Sequence, residues 1–229
     1  MVVERTGTAD DIVTVASFVR DQLLAAGFAT QAQALEGLDV QSVARTEPVA
    51  GLPVLSHLQD AVELARQVLP ESVGRALACS AGNATWTQTE AYLREPPSPT
   101  FVAGYAHATL AGPPDLASET VEKQPAVDVL TRGVPVALGL LLLAPGLRYP
   151  HHQHPADELY VPLSRAKWSH GQTEPFDEQP VGVPLHHRPG QAHAMATGQT
   201  PLLAMYVWTG AVTVSASWCR STPPVGPQS

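Results

Sequence analysis

The sequence predicts a mainly β molecule, a sandwich or barrel of short strands preceded by a helical N-terminal segment. Three observations predict it. Composition changes near residue 125, from alanine, leucine and glutamine to β-branched residues, glycine, proline and clustered histidines. Apolar residues recur at helical spacing only before that point. After it, short apolar runs are divided by Pro and Gly turns, the pattern of an all-β unit. The expected division is a helical segment with an irregular connection over 1–125, a β-barrel over 126–220 and a flexible tail over 221–229.

The first helix starts near Thr8, with Asp10 and Asp11 in its first turn, where carboxylates suit the helix dipole. Ile12, Val15, Ala16, Val19, Leu23 and Leu24 form its apolar stripe, and Gly27 stops it. A short helix fits within 30–44. Another fits 56–69, capped by Ser56, with Leu58, Val62, Ala65 and Leu69 on one stripe. The run Glu95-Pro-Pro-Ser-Pro-Thr100 cannot be a helix interior, and Gly112-Pro113-Pro114 is a second break. Between them, 101–110 reads as a strand or an irregular segment packed on the barrel. Strands follow at 134–144, 158–163, 180–185, 202–206 and 211–216.

Thirteen Lys and Arg against twenty-one Asp and Glu give a formal charge of −8. That argues against nucleic-acid binding, which needs a basic face to neutralise phosphates. The longest apolar run, 134–145, is interrupted by Pro135 and Gly139 and is too short to span a bilayer. The first residues lack a basic stretch followed by an apolar one, so no signal peptide is expected. Cys79 and Cys219 lie far apart and outside any CxxC motif, which argues against a thiolate zinc site and a dithiol redox centre. They read as buried thiols in a cytoplasmic, reducing setting.

Seven of the nine histidines fall between 151 and 193. His152, His154 and Glu158 stand two and four apart, so along a strand they share a face. His193, after Arg188-Pro-Gly-Gln-Ala, brings a ligand from a second element. Imidazole and carboxylate donors suit one divalent transition metal, Zn, Fe, Mn, Co or Ni, without choosing among them. His151, His186 and His187 read as rim or loop residues, His187 being a weaker alternative ligand. Arg148, Arg165 and Lys167 read as solvated rim charges.

These residues resemble the cupin family. Gly146, His152, His154 and Glu158 occupy its first motif, with Arg165 in place of the final glycine. Gly182, Gly190 and His193 occupy its second, with Arg188 for proline and Thr197 for asparagine. The resemblance implies a cupin double-stranded β-helix, or jelly roll, with the metal inside. A narrower string, Tyr149-Pro-His-His-Gln-His-Pro-Ala-Asp-Glu-Leu-Tyr160, is similar to the cupin-type dimethylsulfoniopropionate lyases, above all their DddQ branch. The likeness extends through Trp86-x-Gln-Thr-Glu-Ala-Tyr92, Phe101-Val-Ala-Gly-Tyr105 and Pro201-Leu-Leu-Ala-Met-Tyr-Val-Trp208.

That resemblance implies a metal-dependent carbon–sulfur lyase giving acrylate and dimethyl sulfide. His154, Glu158 and His193 match the ligands, Tyr160 the catalytic tyrosine, and Tyr149 and His152 further active-site residues. A sulfonium substrate needs aromatic faces, for which Tyr149, Trp168, Tyr206, Trp208 and Tyr105 are the candidates. A fold does not fix a function. The alternatives are another cupin isomerase or dioxygenase acting on a small carboxylate, and a non-catalytic cupin that binds a small molecule. The helical segment is expected to be a lid or wall at the barrel mouth, or the surface of a homodimer.

Overall fold

The computed structural model describes residues 8–40, 51–112 and 134–219. The compositional boundary at 125–126, residues 41–44 of the second expected helix and the expected tail all lie outside the described residues.

Helix α1 (Thr8–Ala25) buries Ile12, Val15, Ala16, Val19 and Leu23, one continuous stripe. Leu24, expected on that stripe, faces outward and is 51% exposed, because it lies one residue past Leu23 and falls off the face. The helix stops at Gly27, whose φ of 87° suits glycine, with the Phe28 amide returning to Leu23 O. Helix α2 (Ala29–Ala34) and a 3₁₀ turn over Leu35–Gly37 follow. A 3₁₀ turn over Pro53–His57 leads into α3 (Leu58–Arg66), which buries Ala61 and Ala65. Ser56 is not a cap, since its hydroxyl donates to Pro53 O.

Helix α4 (Glu71–Asn83) was not expected from the sequence. It buries mostly small side chains, Gly74, Ala76, Ser80 and Ala81 beside Val73 and Leu77, so it lacks a bulky stripe. A Cβ on Gly74 would come within 3.2 Å of Arg66 Cγ, so the small residue sits where α3 and α4 approach closely. Two short helices complete the segment, α5 (Glu90–Arg94) and α6 (Pro99–Gly104). Pro99 stands in the first turn of α6, where its missing N–H costs nothing, and Ser98 Oγ accepts from the Phe101 amide.

The segment 101–110 divides, ending α6 and forming most of β1 (Tyr105–Ala111). The remaining strands are β2 (Val136–Leu143), β3 (Arg148–Gln153), β4 (Asp157–Pro162), β5 (Ala166–Ser169), β6 (Asp177–Glu178), β7 (Leu185–His187), β8 (His193–Thr197), β9 (Leu202–Thr209) and β10 (Ser217–Trp218). Two expected strands are turns. Within 180–185, Gly182 takes φ 81° and the Val183 amide bonds Pro180 O. Within 211–216, the Val214 amide bonds Ala211 O, after Gly210 at φ 81°. Local turn chemistry outweighs the β-branched composition of both stretches.

The strands form two five-stranded antiparallel sheets, ordered β1-β2-β9-β4-β7 and β10-β3-β8-β5-β6. This is the mainly β jelly roll preceded by helices that the sequence predicts. The sheet begins at Tyr105, ahead of the compositional change. The first sheet is buried on both faces. Leu138, Leu140, Leu142, Leu159, Val161, Leu203, Met205 and Val207 pack outward against α1–α4. Leu141, Leu143, Tyr160, Leu202, Ala204 and Tyr206 alternate with them and point into the barrel. The helices α1–α4 therefore cover the back of a sheet rather than the barrel mouth.

Thr197, standing for the motif asparagine, holds the β2–β3 turn: its hydroxyl donates to Ala144 O at 2.7 Å and accepts from the Leu147 amide at 2.8 Å. Gly139 lies under the Tyr206 ring, and a Cβ there would overlap Tyr206 and Ala108 O. Gly139→Ala should accordingly lower the unfolding free energy by about 2 kcal/mol or more through overpacking. Urea denaturation checks this, and an unchanged midpoint would contradict the contact.

Candidate functional site

Glu158 is the centre of the barrel's polar interior. It sits on β4, directly opposite Trp208 of β9 and His187 of β7, and its side chain is completely buried. Trp208 Nε1 donates to its Oε1 at 2.5 Å. Its Oε2 receives three imidazoles, His154 Nε2 at 2.9 Å, His193 Nε2 at 3.1 Å and His187 Nδ1 at 3.6 Å. A carboxylate out of water needs such company.

His187 lies on β7 of the first sheet, and the other histidines arrive from the side of the second. His152 of β3 and His193 of β8 are ladder partners. Strand alternation alone would turn Tyr149 away from His152, since they stand three apart. A register shift between them supplies an extra residue, in the manner of a β-bulge. Both side chains then face inward, stacked at 4.1 Å and 7°. His154 follows the end of β3, where the chain crosses between sheets. Gly190, at φ 73°, holds the turn before His193, its amide bonded to His154 O at 2.8 Å.

Backbone carbonyls set the imidazole tautomers. His154 Nδ1 donates to Ala156 O at 3.1 Å, and His193 Nδ1 to Gln191 O at 2.9 Å. This leaves both Nε2 atoms toward Glu158, the orientation that a backbone partner gives a ligating histidine. His193 Nε2 is buried without a properly directed hydrogen bond. The ligand atoms of His154, Glu158 and His193 lie within 4.8 Å of one another, and all three residues are buried, so the triad could hold a metal ion. Two imidazoles and a carboxylate suit a divalent transition metal. His152 lies outside that triad. Its Nδ1 bonds Pro150 O, and its ring meets His193 edge-on at 4.1 Å.

A pocket opens beside the triad. Its lining includes Tyr105, Tyr149, His152, His154, Glu158, Tyr160, Tyr206 and Trp208, eight of the residues singled out from the sequence. Trp168 is not among them; it packs behind Tyr160, ring centroids 5.1 Å apart, wholly buried. Thr89, His107, Leu141 and Ala216 also line the pocket. The segment before the barrel thus supplies a wall through Thr89, whose Oγ1 lies 2.8 Å from the Tyr105 hydroxyl. Tyr92 stands just behind, accepting from the Tyr149 hydroxyl at 3.0 Å and stacked on Trp218 at 3.9 Å.

Two histidines take unexpected places. His187 is no rim residue: it is fully buried, stacked on His193 at 4.0 Å, with its Nε2 3.1 Å from His170 Nδ1. Its facing of Glu158 across the ladder was unreadable without the β4–β7 register. His107 is not singled out by the sequence, because 101–110 reads equally as a strand or an irregular segment; on β1, Tyr105, His107 and Thr109 alternate onto the barrel face. His186 points the other way, 2.7 Å from Asp157 Oδ1, while Gln31 of α2 donates to Asp157 Oδ2. Arg148, Arg165 and Lys167 are exposed, as expected of rim charges.

The site's electrostatics follow its geometry. Burial alone would push the Glu158 carboxyl up, but the imidazoles of His154, His187 and His193 hold it well below the usual range. Burial works to lower His154, and the Glu158 carboxylate overcomes it and raises the imidazole. Burial, then the Glu158 carboxylate, pushes the Tyr160 hydroxyl well above the usual tyrosine value. Burial lowers His107 and His187 each to about 4.

The family model for dimethylsulfoniopropionate lyase (DMSP lyase) matches residues 27–204. The chain belongs to that family. A DMSP lyase relative, the putative DddL of Cereibacter sphaeroides, is 30% identical over 162 residues, 69% of this chain and 60% of that protein. The DMSP lyase DddQ of Ruegeria pomeroyi is 32% identical over 75 residues, 33% of this chain and 37% of its own length. The matched segment thus spans under two thirds of either curated relative. Among solved structures, one from a study of the DMSP lyases RdDddP and RnDddQII matches 93% of this chain and 100% of its own, at 22% identity and TM-score 0.61. The crystal structure of Ruegeria pomeroyi DddQ matches 92% and 98%, at 23% identity and TM-score 0.54. At these identities the structural likeness establishes the shared fold. Among the described residues, no helix is long and apolar enough to cross a membrane.

His107 makes one consequence measurable. Its imidazole takes a proton near pH 4 in the fold, against 6.5 ordinarily. As pH falls from 6.5 to 4, the unfolded chain binds a proton that the folded chain does not, so stability is lost over that window. His107→Leu should flatten the pH dependence of the urea midpoint between pH 7 and 4. A profile parallel to wild type would contradict the burial of this ring.

Proposed function

We propose that the chain is a metal-dependent carbon–sulfur lyase that cleaves dimethylsulfoniopropionate to acrylate and dimethyl sulfide. The observation that carries this reading is the placement of Tyr160 two residues from Glu158 on the same inward face. Both side chains line the pocket beside a metal-competent triad. Family membership over most of the chain supports the substrate.

His154, Glu158 and His193 would hold the ion, which is Zn, Fe, Mn, Co or Ni by donor chemistry. A divalent ion bound there would supply positive charge for the substrate carboxylate, for the negative charge that develops beside it, and for the phenolate form of Tyr160. Tyr160, as phenolate, takes the proton from the carbon next to the carboxylate. The electron pair of that C–H bond forms the carbon–carbon double bond of acrylate. The pair of the breaking C–S bond leaves with neutral dimethyl sulfide, so no acid is needed at the leaving group. The proton then passes from Tyr160 to solvent.

The remaining residues bind and exclude water. Tyr149, Tyr105, Tyr206 and Trp208 present aromatic surface to the sulfonium, which attracts an onium group most strongly away from water. Tyr149 is held for that task by Tyr92 and by stacking on His152. His152 serves here as a packing partner rather than as a ligand. A cytoplasmic location belongs to the same reading.

Tyr160→Phe should reduce dimethyl sulfide release by roughly a thousandfold or more, as expected for loss of a general base, while metal content stays at the wild-type level. Headspace gas chromatography and elemental analysis of the same sample check both. Near-normal release would remove Tyr160 from the base role. His154→Ala, Glu158→Ala and His193→Ala should each lower metal content, whereas His152→Ala should retain it. Full occupancy in all three would refute the ligand set.

A further inference from the structure

Among the described residues, five buried side-chain polar atoms lack a hydrogen-bond partner, on Ser80, His107, Trp168, His187 and His193. Of these residues only His107 lines the pocket. Several other polar groups around it are engaged. Thr89 meets Tyr105, Tyr149 donates to Tyr92, the Tyr206 hydroxyl lies 3.1 Å from Thr109 Oγ1, and Trp208 donates to Glu158. Buried polar groups in native proteins are almost always partnered, so a pocket-lining imidazole with no side-chain hydrogen bond marks where a ligand supplies the partner.

His107 also occupies a definite end of the pocket. It lies on β1, and β2 and β9 separate β1 from the β4 strand that carries Glu158. Three strand spacings, roughly 14 Å, separate the two strands, and His107 is in register with Leu141, Ala204 and Pro162, four residues along β4 from Glu158. Ala106 and Ala108 pack outward against the helices. Leu141, the ladder partner of His107, belongs to the barrel interior. The Tyr105 ring stands 5.9 Å away.

We propose that His107 is the binding residue for the onium head of a zwitterionic substrate whose carboxylate lies at the Glu158 end of the pocket. This rests on the lyase reading for the substrate's orientation. A sulfonium cannot accept a hydrogen bond, but it polarises its own C–H groups, which then seek lone pairs. The ring nitrogen of His107 that carries no proton offers one. Burial holds the imidazole down to about 4, so the ring is uncharged at neutral pH and does not repel a cation. With the face of Tyr105 it makes a two-sided receptor for positive charge.

The test compares two ligands that differ in the charge on sulfur, dimethylsulfoniopropionate and 3-(methylsulfanyl)propanoate. Calorimetric titration of the metal-loaded Tyr160→Phe protein, which does not turn the sulfonium over, gives both affinities, and turnover with Tyr160 in place gives KM and kcat for the first. His107→Leu should weaken binding of the sulfonium about tenfold and raise its KM to match. Affinity for the thioether acid and kcat should stay within about twofold of wild type. His107→Gln, which restores an acceptor, should recover most of the loss. His107→Phe serves as the apolar variant if His107→Leu does not fold. Equal weakening of both ligands, or none of the sulfonium, would overturn the proposal. Wild-type protein that binds the sulfonium without releasing dimethyl sulfide would refute the lyase reading alone, and the titrations would still decide His107. Wild-type protein that binds neither ligand would overturn both.

Discussion

A carboxylate with no contact with water is the constraint around which this molecule is built. Stranding the charge of Glu158 in the barrel would cost several kcal/mol. The fold meets that cost from both sheets at once. The first sheet supplies Trp208 and His187 as ladder neighbours of Glu158, and the second supplies His154 and His193. Neither sheet completes the shell alone. The contacts that stabilise the charge are therefore also contacts that fasten the two sheets together.

The same constraint explains the helices. To aim Glu158, Tyr160, Tyr206 and Trp208 inward, β4 and β9 must send Leu159, Val161, Met205 and Val207 outward. That face would be a broad apolar patch in water. Helices α1–α4 cover it, and Gln31 of α2 bonds Asp157, the neighbour of Glu158. The chain ahead of the barrel thus has two jobs. Its larger part seals the back of the sheet, and its last turns, through Thr89 and Tyr92, wall and brace the pocket on the inside.

Much of this was legible in the sequence, for identifiable reasons. The α1 stripe, the stop at Gly27, and the strands around 134–144, 158–163 and 202–206 rest on local periodicity, which needs no partner to be read. His154, Glu158 and His193 were legible through spacing and family motifs. Three features were not. Helix α4 buries small residues and shows no bulky stripe. Tyr149 and His152 share a face only because of a register shift, which belongs to a pair of strands and not to either one. His107 and His187 acquire meaning from ladders, β1 on β2 and β4 on β7, that join segments far apart in the chain. The expected strands at 180–185 and 211–216 failed for the opposite reason, since glycine turns overrode a favourable composition.

The central claim is that Glu158, His154 and His193 form one metal centre at the inner end of the aromatic pocket. Anomalous diffraction from crystals of the metal-loaded protein tests it most directly. The account predicts one strong peak within bonding distance of His154 Nε2, His193 Nε2 and a Glu158 carboxylate oxygen, roughly 2.0–2.2 Å for such donors. A fully loaded protein whose peak lies elsewhere, with those three side chains still bonded only to each other, would contradict it.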